Sequence, residues 1–406
     1  MLHRLQSLPR FQVASYTQGS LKIKSAYLSP STTPKCKASH AAIAQATHSP
    51  NPKGSLKTKK RIFRLPHPSP NPHPMKSLYI LYTGGTIGMT QTPQGLQPSR
   101  DIVTTALQPH TGSPKTSAAS LCEIDPTWHI CDPLIDSSAL TPQHWANWLT
   151  LLQAALPQHD AALILHGTDT LAYTANLLAL ALNLQGKPVI LTGAQKPFGA
   201  DNSDAPANLH TALAAIQNPS THGVLLAFNG KLIPPVGSSK TTTEHDDGFA
   251  NPHFGEWQIE NGQPENAPAP FGGSLLQRQF NPRTRVVPIL LTPSNMLDNA
   301  AARLNPNDSD AAILLSYGHG NAPAHPRLLA AVRRYAQAGK PLLNISQVPH
   351  GNAATVYAQG NALRQAGAIN GGRCNLETAT ALMMLAAANG WTRREIEGEL
   401  QRLRLV

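Results

Sequence analysis

Two short clusters in this sequence place threonine hydroxyls beside glycines, directly after runs of apolar residues. The first runs from Tyr82 to Gly88 (YTGGTIG) and the second from His166 to Thr170 (HGTDT). A threonine hydroxyl is a weak nucleophile at neutral pH, and it reacts only where a base lies beside it. Taken alone, the second cluster could be a helix N-cap. Two such turns at two strand ends together favour a reactive pocket.

The first cluster could also be a glycine-rich turn of a nucleotide-binding fold. Its spacing argues against that interpretation, because Thr83 stands where the first glycine of G-x-G-x-x-G belongs and no P-loop lysine follows. The alternative makes Thr86 a nucleophile, carried by a turn that only glycines can form.

A candidate base for such a nucleophile is Lys240, in the segment SSKTTT. A lysine accepts a proton only where burial or neighbouring charge lowers its pKa, and it needs an acidic partner to hold it in place. An isolated lysine in an ordinary loop would be a solvated surface charge. The assignment of Lys240 therefore depends on its reaching Thr168 and Asp169.

The two clusters follow strands in an alternating pattern of strands and helices. Buried strands are predicted in MKSLYILYTGG, ALILHG, KPVILTG and GVLLAFNG, and helices in HWANWLTLLQAAL and LAYTANLLALALNLQG. This alternation predicts a parallel sheet covered on both faces, with ligands binding beyond the carboxyl ends of its strands. A second series (RVVPILLT, AAILLSYGHG and KPLLNISQ, with helices around 326–338, 376–389 and 392–403) predicts a smaller second α/β domain.

The composition divides the chain into four segments. Residues 1–74 are basic and rich in Ser and Pro, and we expect them to be disordered, either as a genuine extension or as spurious upstream translation before Met75. A catalytic α/β domain is predicted at 75–255 and a Pro/Gly-rich linker at 256–284. The C-terminal α/β domain is predicted at 285–406.

The net charge of +11 belongs to the N-terminal extension. Residues 1–74 hold 12 of the 33 Lys and Arg and no Asp or Glu, which leaves 21 basic against 22 acidic residues in the rest. A nucleic-acid partner is therefore not indicated. The four cysteines form no CxxC pair, so a reducing, cytoplasmic compartment is expected. No apolar run approaches the roughly 18 residues of a membrane span, and no secretory signal is evident.

Three motifs in this order resemble the bacterial-type asparaginase/glutaminase family, and most closely its cytoplasmic type I branch. They are TGGTIG at 83–88, DSS at 136–138 and HGTDT at 166–170, and the resemblance extends from Met75 nearly to the C-terminus. It implies two α/β domains and no metal or organic cofactor. It also implies hydrolysis of L-asparagine, with glutamine as a second substrate. Active sites would lie between paired subunits of a homotetramer, a dimer of dimers.

The resemblance further implies a role for each matching residue. Thr86 would be the nucleophile that forms an acyl-enzyme, and Thr168, Lys240 and Asp169 would form a triad. Asp169 would also bind the substrate's α-ammonium, and the segment Asp136, Ser137 and Ser138 would bind its α-carboxylate. The backbone N–H groups of Thr86 and Thr168 would supply the oxyanion hole.

Two further segments match the family less directly. The turn Thr192–Gln195, with Asp204 and Asn208 after it, resembles the floor of the pocket, and we expect structural support there. The segment Tyr317–Asn321 resembles one that approaches the neighbouring subunit's site, and its contact with substrate is left open.

The sequence departs from the family in the loop after the first motif. Leu96 occupies the place where many relatives carry a tyrosine close to the nucleophile. Either Lys240 carries more of the activation of Thr86, or another segment of the chain supplies a tyrosine beside it. Tyr357 is one candidate for that tyrosine.

Two other functions compete with asparagine hydrolysis. An amidase subunit of tRNA-dependent amidation would use the basic extension to touch RNA, but no folded RNA-binding module is evident. A catalytically silent amino-acid sensor is disfavoured because Thr86, Thr168, Asp169 and Lys240 occur together. The preference between asparagine and glutamine is not set by sequence, since one methylene is worth only about 1–3 kcal/mol.

Overall fold

A computed structural model describes residues 76–93, 95–99, 101, 124–258, 276, 278–293, 296–354 and 358–406. The predicted extension at 1–74, most of the predicted linker and Tyr357 lie outside the described residues. The four segment boundaries therefore stay predictions.

The described strands and helices alternate along most of the chain. The strands are β1 Lys76–Gly84, β2 Met89–Thr92, β3 Gly95–Pro98, β4 Ile124–Ile135, β5 Ala161–Leu165, β6 Pro188–Thr192, β7 Gly223–Phe228, β8 Lys231–Ile233, β9 Ser239–Lys240, β10 Phe249–Ala250, β11 Val286–Leu290, β12 Ala311–Ser316, β13 Leu342–Ser346 and β14 Ile369–Asn370. The helices are α1 Pro142–Ala155, α2 Leu171–Ala181, α3 Ala205–Gln217, α4 Leu297–Arg303, α5 Pro326–Gln337, α6 Ala358–Ala366, α7 Leu376–Ala388 and α8 Arg393–Arg402.

The larger sheet has the strand order β4-β1-β5-β6-β7-β8. Its first five strands are parallel, and β8 runs antiparallel to β7. Residues of β1 alternate between two cores, since Leu78 and Ile80 face one and Tyr79 and Leu81 the other. Both faces of the sheet are thus covered, as the sequence predicts. The edge strand β4 and the reversal into β8 were not predicted.

The reversal into β8 has a local cause in the sequence. Asn229 and Gly230 have φ angles of 48° and 73° and connect Phe228 to Lys231, which are paired across the turn. Asn-Gly is the pair that favours a two-residue turn with both φ angles positive, and such a turn joins antiparallel strands. The glycine that ends GVLLAFNG therefore marks a hairpin.

The smaller sheet is parallel, with the order β11-β12-β13-β14. Strands β11, β12 and β13 and the helices α5, α7 and α8 occur where the second alternating series predicts them, whereas the short strand β14 was not predicted. Successive residues of β12 face opposite sides, because Ile313 belongs to the core shared with the larger sheet and Leu314 to the core under α5. The predicted fold class, two α/β sheets with the larger one first, is confirmed.

A single hydrophobic core joins the two sheets. It contains Leu81 and Ile164 from the larger sheet, Ile313 and Ile345 from the smaller one, and the buried residues of α2 and α7. Both helices are apolar around most of their circumference, which is the pattern of helices enclosed on all sides. α2 and α7 therefore form the layer between the sheets.

Among the described residues, no helix is both long and apolar enough to cross a membrane. No group of three or more His, Cys, Asp or Glu in that part of the chain could hold a metal ion. Cys131 and Cys374 are free thiols, and burial raises the pKa of each.

Candidate active site

The predicted site residues other than Lys240 come from turns at one edge of the larger sheet. Strands β4, β1, β5 and β6 are adjacent and parallel, so their carboxyl ends meet at the same edge. The turns that follow them hold the DSS, TGGTIG, HGTDT and TGAQ motifs respectively. Crevices at such edges are where ligands bind in open α/β sheets.

The turns after β1 and β5 touch backbone to backbone through Gly85 and Gly167. A Cβ atom on Gly85 would lie 2.3 Å from the Cα of Gly167, and Gly85 has a φ of +88° that other residues rarely adopt. Glycine is therefore required at Gly85 for both space and conformation. Thr86 and Thr168 directly follow the touching residues, and each begins a short 3-10 helix.

The segment predicted to bind an α-carboxylate packs against the second of these turns. Ser137 is only 4% exposed, and a Cβ atom on Gly167 would lie 2.5 Å from its Oγ. The Thr170 hydroxyl donates to the Ser137 carbonyl at 2.9 Å. Asp136 Oδ1 accepts from the Ser138 N–H at 2.9 Å, which closes the turn after β4. Asp136 and Ser138 are exposed beside the buried serine.

Lys240 reaches this edge from the short hairpin of β9 and β10. Its Nζ donates to Thr168 Oγ1 at 2.8 Å and to Asp169 Oδ1 at 2.7 Å. The Lys240 side chain is 17% exposed, whereas that of Asp169 is 57% exposed. The amine is therefore held among protein groups, and the three residues predicted to act together are in contact.

The proton of the Thr168 hydroxyl is oriented by Gln195, a contact that was not predicted. Gln195 Nε2 donates to the carbonyls of Thr242 at 3.0 Å and His245 at 3.4 Å, which leaves its Oε1 facing Thr168 Oγ1 at 3.4 Å. An ammonium can only donate. Thr168 thus accepts from Lys240 and donates to Gln195.

The residues after the TGAQ turn fix the position of Gln195. The Asp204 carboxylate accepts from the backbone N–H groups of Gln195 and Lys196, each at 2.9 Å. Asn208 Nδ2 donates to the Gly193 carbonyl at 3.0 Å and to Asp204 at 2.9 Å. These contacts hold the TGAQ turn in place.

His166 anchors the HGTDT turn in the protein interior. Burial lowers its pKa to about 4, because the loss of solvent outweighs the hydrogen bond with the Gly167 carbonyl. Nδ1 lies 2.7 Å from that carbonyl, which only accepts, so Nδ1 carries the proton. Nε2 then accepts from the Thr174 hydroxyl at 2.9 Å, and Trp145 Nε1 donates to the same hydroxyl at 2.9 Å. A neutral imidazole therefore completes a chain of three hydrogen bonds.

No loop tyrosine stands beside the first turn at the expected place. Leu96 lies on β3, paired with β2, and is 45% exposed. The Tyr82 phenol is fully buried and donates to the Ser99 carbonyl at 3.0 Å, and burial raises its pKa. The expectation that Lys240 carries more of the activation of Thr86 stays a prediction.

The segment Tyr317–Asn321 forms a closed turn at the end of β12. The Tyr317 N–H donates to the Asn321 carbonyl at 2.9 Å, and the Asn321 N–H donates back at 2.8 Å. Ser346 Oγ donates to the Gly318 carbonyl at 2.6 Å. The turn is well fixed, and its contact with substrate stays a prediction.

Two families and several known proteins match this chain. The family described as "Asparaginase, N-terminal" matches residues 77–267, and "Glutaminase/Asparaginase C-terminal domain" matches residues 287–399. L-asparaginase 1 of Escherichia coli is 36% identical over 324 residues, which cover 76% of this chain and 91% of that protein.

Solved structures match over a similar extent. L-asparaginase I from Vibrio cholerae superposes with a TM-score of 0.66 at 30% identity, covering 80% of this chain and 97% of that one. The thermostable L-asparaginase from Thermococcus kodakarensis gives a TM-score of 0.65 at 28% identity, covering 80% and 96%.

Proposed function

This chain belongs to the asparaginase family and is an amidohydrolase, and we propose that it converts L-asparagine to L-aspartate and ammonia through a threonine nucleophile. The observation that carries the proposal is the Lys240 amine, which donates to both Thr168 and Asp169. It does so beside the junction of Gly85 and Gly167, where the turn bearing Thr86 begins.

The substrate's α-ammonium needs a negatively charged acceptor, and its α-carboxylate needs hydrogen-bond donors. Asp169 uses Oδ1 for Lys240, while its Oδ2 makes no hydrogen bond to a described residue and its side chain is more than half exposed. That oxygen can accept from the α-ammonium. The Ser137 hydroxyl and the turn around it would donate to the α-carboxylate. With both ends held, the amide carbonyl is presented to Thr86, and such orientation is worth about 7–11 kcal/mol in favourable cases.

In the first half-reaction Thr86 Oγ1 forms a bond to the amide carbon. The charge that develops on the carbonyl oxygen is stabilised by the backbone N–H groups of Thr86 and Thr168, and losing one such donor costs about 3–4 kcal/mol. The C–N bond then breaks, and ammonia leaves with the proton that the Thr86 hydroxyl gave up. An ester between Thr86 and the aspartyl group remains.

In the second half-reaction water attacks the ester carbon. The water oxygen forms the new C–O bond, the bond between the ester carbon and Thr86 Oγ1 breaks, and a proton returns to the Thr86 hydroxyl. Lys240 and Thr168 relay the proton in one or both halves. The substrate's ammonium would compete with Lys240 for the charge of Asp169, so the ion pair of Lys240 would weaken when substrate binds.

The direct test is ammonia release from L-asparagine by the purified protein. We expect Thr86→Ala to abolish turnover and Thr86→Ser to retain part of it, because serine keeps the hydroxyl. Hydroxylamine should trap the ester as aspartyl hydroxamate in the wild type and not in Thr86→Ala. Thr90→Ala, on the neighbouring hairpin, is the control and should remain active. Unchanged turnover in Thr86→Ala would refute the threonine nucleophile.

A weaker glutaminase activity is part of the same proposal. Glutamine is longer by one methylene, a difference that changes transition-state binding by only about 1–3 kcal/mol. We expect kcat/KM for glutamine to fall below that for asparagine by roughly 10- to 200-fold. A failure to release any ammonia from glutamine would remove this activity from the proposal.

We also propose a homotetramer in the cytoplasm, built as a dimer of dimers. The closed turn at Tyr317–Asn321 would face the partner subunit's site in such an assembly. Light scattering on the purified protein measures the assembly directly. A monomer that is fully active would exclude this part of the proposal.

A further inference from the structure

The first turn of α7, which belongs to the smaller sheet's half of the chain, contacts the strand that carries Lys240. Asn375 caps α7, since its Oδ1 accepts from the Thr378 N–H at 3.2 Å. Its Nδ2 donates to the Ser238 carbonyl at 2.7 Å and to Ser239 Oγ at 2.9 Å. One side chain therefore both begins a helix and holds the two residues before Lys240.

Thr378 makes a second connection from the same turn. Its buried hydroxyl accepts from the Gly237 N–H at 2.9 Å and donates to Asn176 Oδ1 at 2.7 Å. Asn176 Nδ2 donates to the Ala172 carbonyl at 2.9 Å, which orients the amide so that Oδ1 faces Thr378. Asn176 lies on α2, and α2 begins directly after the turn that contains Thr168 and Asp169.

Glu377 lies between these two residues and adds a third contact. Burial raises the pKa of its carboxyl group, although the neighbouring Ser239 side chain lowers it in part. Gly237, Ser238 and Ser239 are thus each hydrogen-bonded to the first turn of α7. We refer to Asn375, Glu377 and Thr378 as the α7 brace.

We propose that Asn375 and Thr378 are positioning residues that set the Lys240 amine against Thr168 and Asp169. The strand β9 has two residues and pairs with the equally short β10, so it provides little rigidity of its own. The α7 brace contacts both the segment before Lys240 and, through Asn176, the helix after Thr168. This inference rests on the proposed function, because it assigns a purpose to the placement of Lys240.

Two variants of Asn375 separate its two contacts. Serine and aspartate are as good as asparagine at the start of a helix, so Asn375→Ser and Asn375→Asp keep the cap. Serine is too short to reach Ser238, and aspartate replaces the donor with an acceptor. A displacement of about 1 Å in a catalytic group can cost on the order of 100-fold in rate. We expect kcat to fall about 10- to 100-fold in both variants, with KM within about threefold of the wild type.

Thr378 allows a test by rescue. Thr378→Val keeps the shape of the side chain but removes the hydroxyl that joins Gly237 to Asn176, and we expect its kcat to fall by a similar factor. Thr378→Ser restores the hydroxyl and should recover most of the rate. A role confined to packing would give the opposite order, because valine fills the same space and serine does not.

The control is Thr392→Ala, which removes the N-cap of α8, where Thr392 Oγ1 accepts from the Glu395 N–H. It should lower Tm and leave kcat unchanged. If Asn375→Ser and Thr378→Val keep the wild-type kcat while Lys240→Met is inactive, the positioning role is wrong and the proposed function stands. If Lys240→Met is itself fully active, the proposed proton relay fails, and the positioning role fails with it.

Discussion

The amine of Lys240 lies 2.8 Å from the hydroxyl oxygen of Thr168, although 72 residues separate them in the chain. Thr168 stands at the carboxyl end of a buried parallel strand, and Lys240 reaches it from a hairpin outside the sheet. Because Thr168 also faces Gln195, its oxygen has one lone pair directed at the amine and its proton directed away. The Thr168 oxygen therefore accepts from the Lys240 amine, which is the contact that the proposed relay requires.

Replacing Lys240 tests whether this contact matters for turnover. General acid–base groups contribute about 10²- to 10⁴-fold to rate, so we expect Lys240→Met to lower kcat by that factor. KM should change less, because Asp169, the proposed partner of the substrate's ammonium, remains. Lys340→Met is the matched control, since Lys340 pairs with Asp310 at 3.2 Å in the smaller sheet's half. Steady-state ammonia release measures both variants, and a Lys240→Met enzyme with near-normal kcat would exclude the relay.

The contact of Gly85 with Gly167 predicts that Gly85→Ala lowers the free energy of unfolding by more than the strain of a positive φ alone would. Gly186 also has a positive φ, +79°, but a Cβ atom there would meet no atom within 4 Å. Gly186→Ala should therefore cost only about 1–2 kcal/mol. Gly85→Ala carries that cost and the overlap with Gly167, which adds about 1–3 kcal/mol. Urea denaturation measures the difference, and equal losses in the two variants would contradict the close approach.

Gly85→Ala should also affect catalysis, whereas Gly186→Ala should not. The overlap moves the Thr86 turn away from the Thr168 turn, and the proposed mechanism requires both turns to contact one substrate. We expect a lower kcat in the Gly85 variant at temperatures where it is fully folded. Circular dichroism establishes that condition before the rates are compared.

The buried imidazole of His166 predicts how stability depends on pH. Its pKa is about 4 in the folded protein and 6.5 in an unfolded chain, so the unfolded chain binds more protons between these values. The stability due to the neutral imidazole is complete above pH 6.5. It falls by about 1.4 kcal/mol per pH unit as the pH drops, and it stops falling near pH 4 after a total of about 3 kcal/mol.

A substitution isolates this contribution from those of the other titrating groups. His166→Gln removes it, so the difference in unfolding free energy between wild type and variant should shrink as the pH falls from 7 to 4.5. His222→Gln, at an exposed position, is the control for the loss of an imidazole outside the core. Urea denaturation at three pH values is sufficient. A constant difference between wild type and His166→Gln would show that the imidazole is not buried as described.

Because the Glu399 carboxylate is buried, we expect its replacement to lower the stability of the fold strongly without lowering kcat. It accepts from Arg278 at 2.7 Å and from Arg402 at 2.5 and 2.9 Å. Burial alone would raise its pKa, but Arg402 and Arg278 lower it on balance. Removing one member of a buried ion pair costs about 3–5 kcal/mol. Glu399→Gln should therefore lower stability by that amount and leave kcat intact below its Tm, and an unchanged Tm would contradict the prediction.

Much of the fold could be predicted because buried parallel strands and amphipathic helices leave distinct patterns. The strands around Ile80 and Ile164 are short apolar runs that end in glycine, and the structure has them there. The edge strand β4 was missed because all of its residues except Ile124 are partly or fully exposed and it contains Pro126 and Pro133, so no apolar run marks it. The hairpin after Phe228 was missed because a single Asn-Gly pair also fits the end of a strand.

The site could be predicted only in part. Thr86, Thr168 and Asp169 lie in turns that are recognisable by themselves, and Lys240 could be assigned only by comparison with a family. Gln195, His166 and Asn375 act through contacts with residues far away in the chain, and their types are ordinary in such turns. No local pattern indicates that the amide of Asn375 reaches a strand 136 residues earlier.

The layer of α2 and α7 between the sheets has a consequence for biosynthesis. A nascent chain that has emerged only as far as residue 258 already carries Thr86, Thr168, Asp169 and Lys240, yet one face of α2 has nothing to cover it. Asn375 and Thr378 leave the ribosome more than a hundred residues later. Activity should thus begin only after α7 has been made, and a fragment released before that point would expose an apolar surface to chaperones.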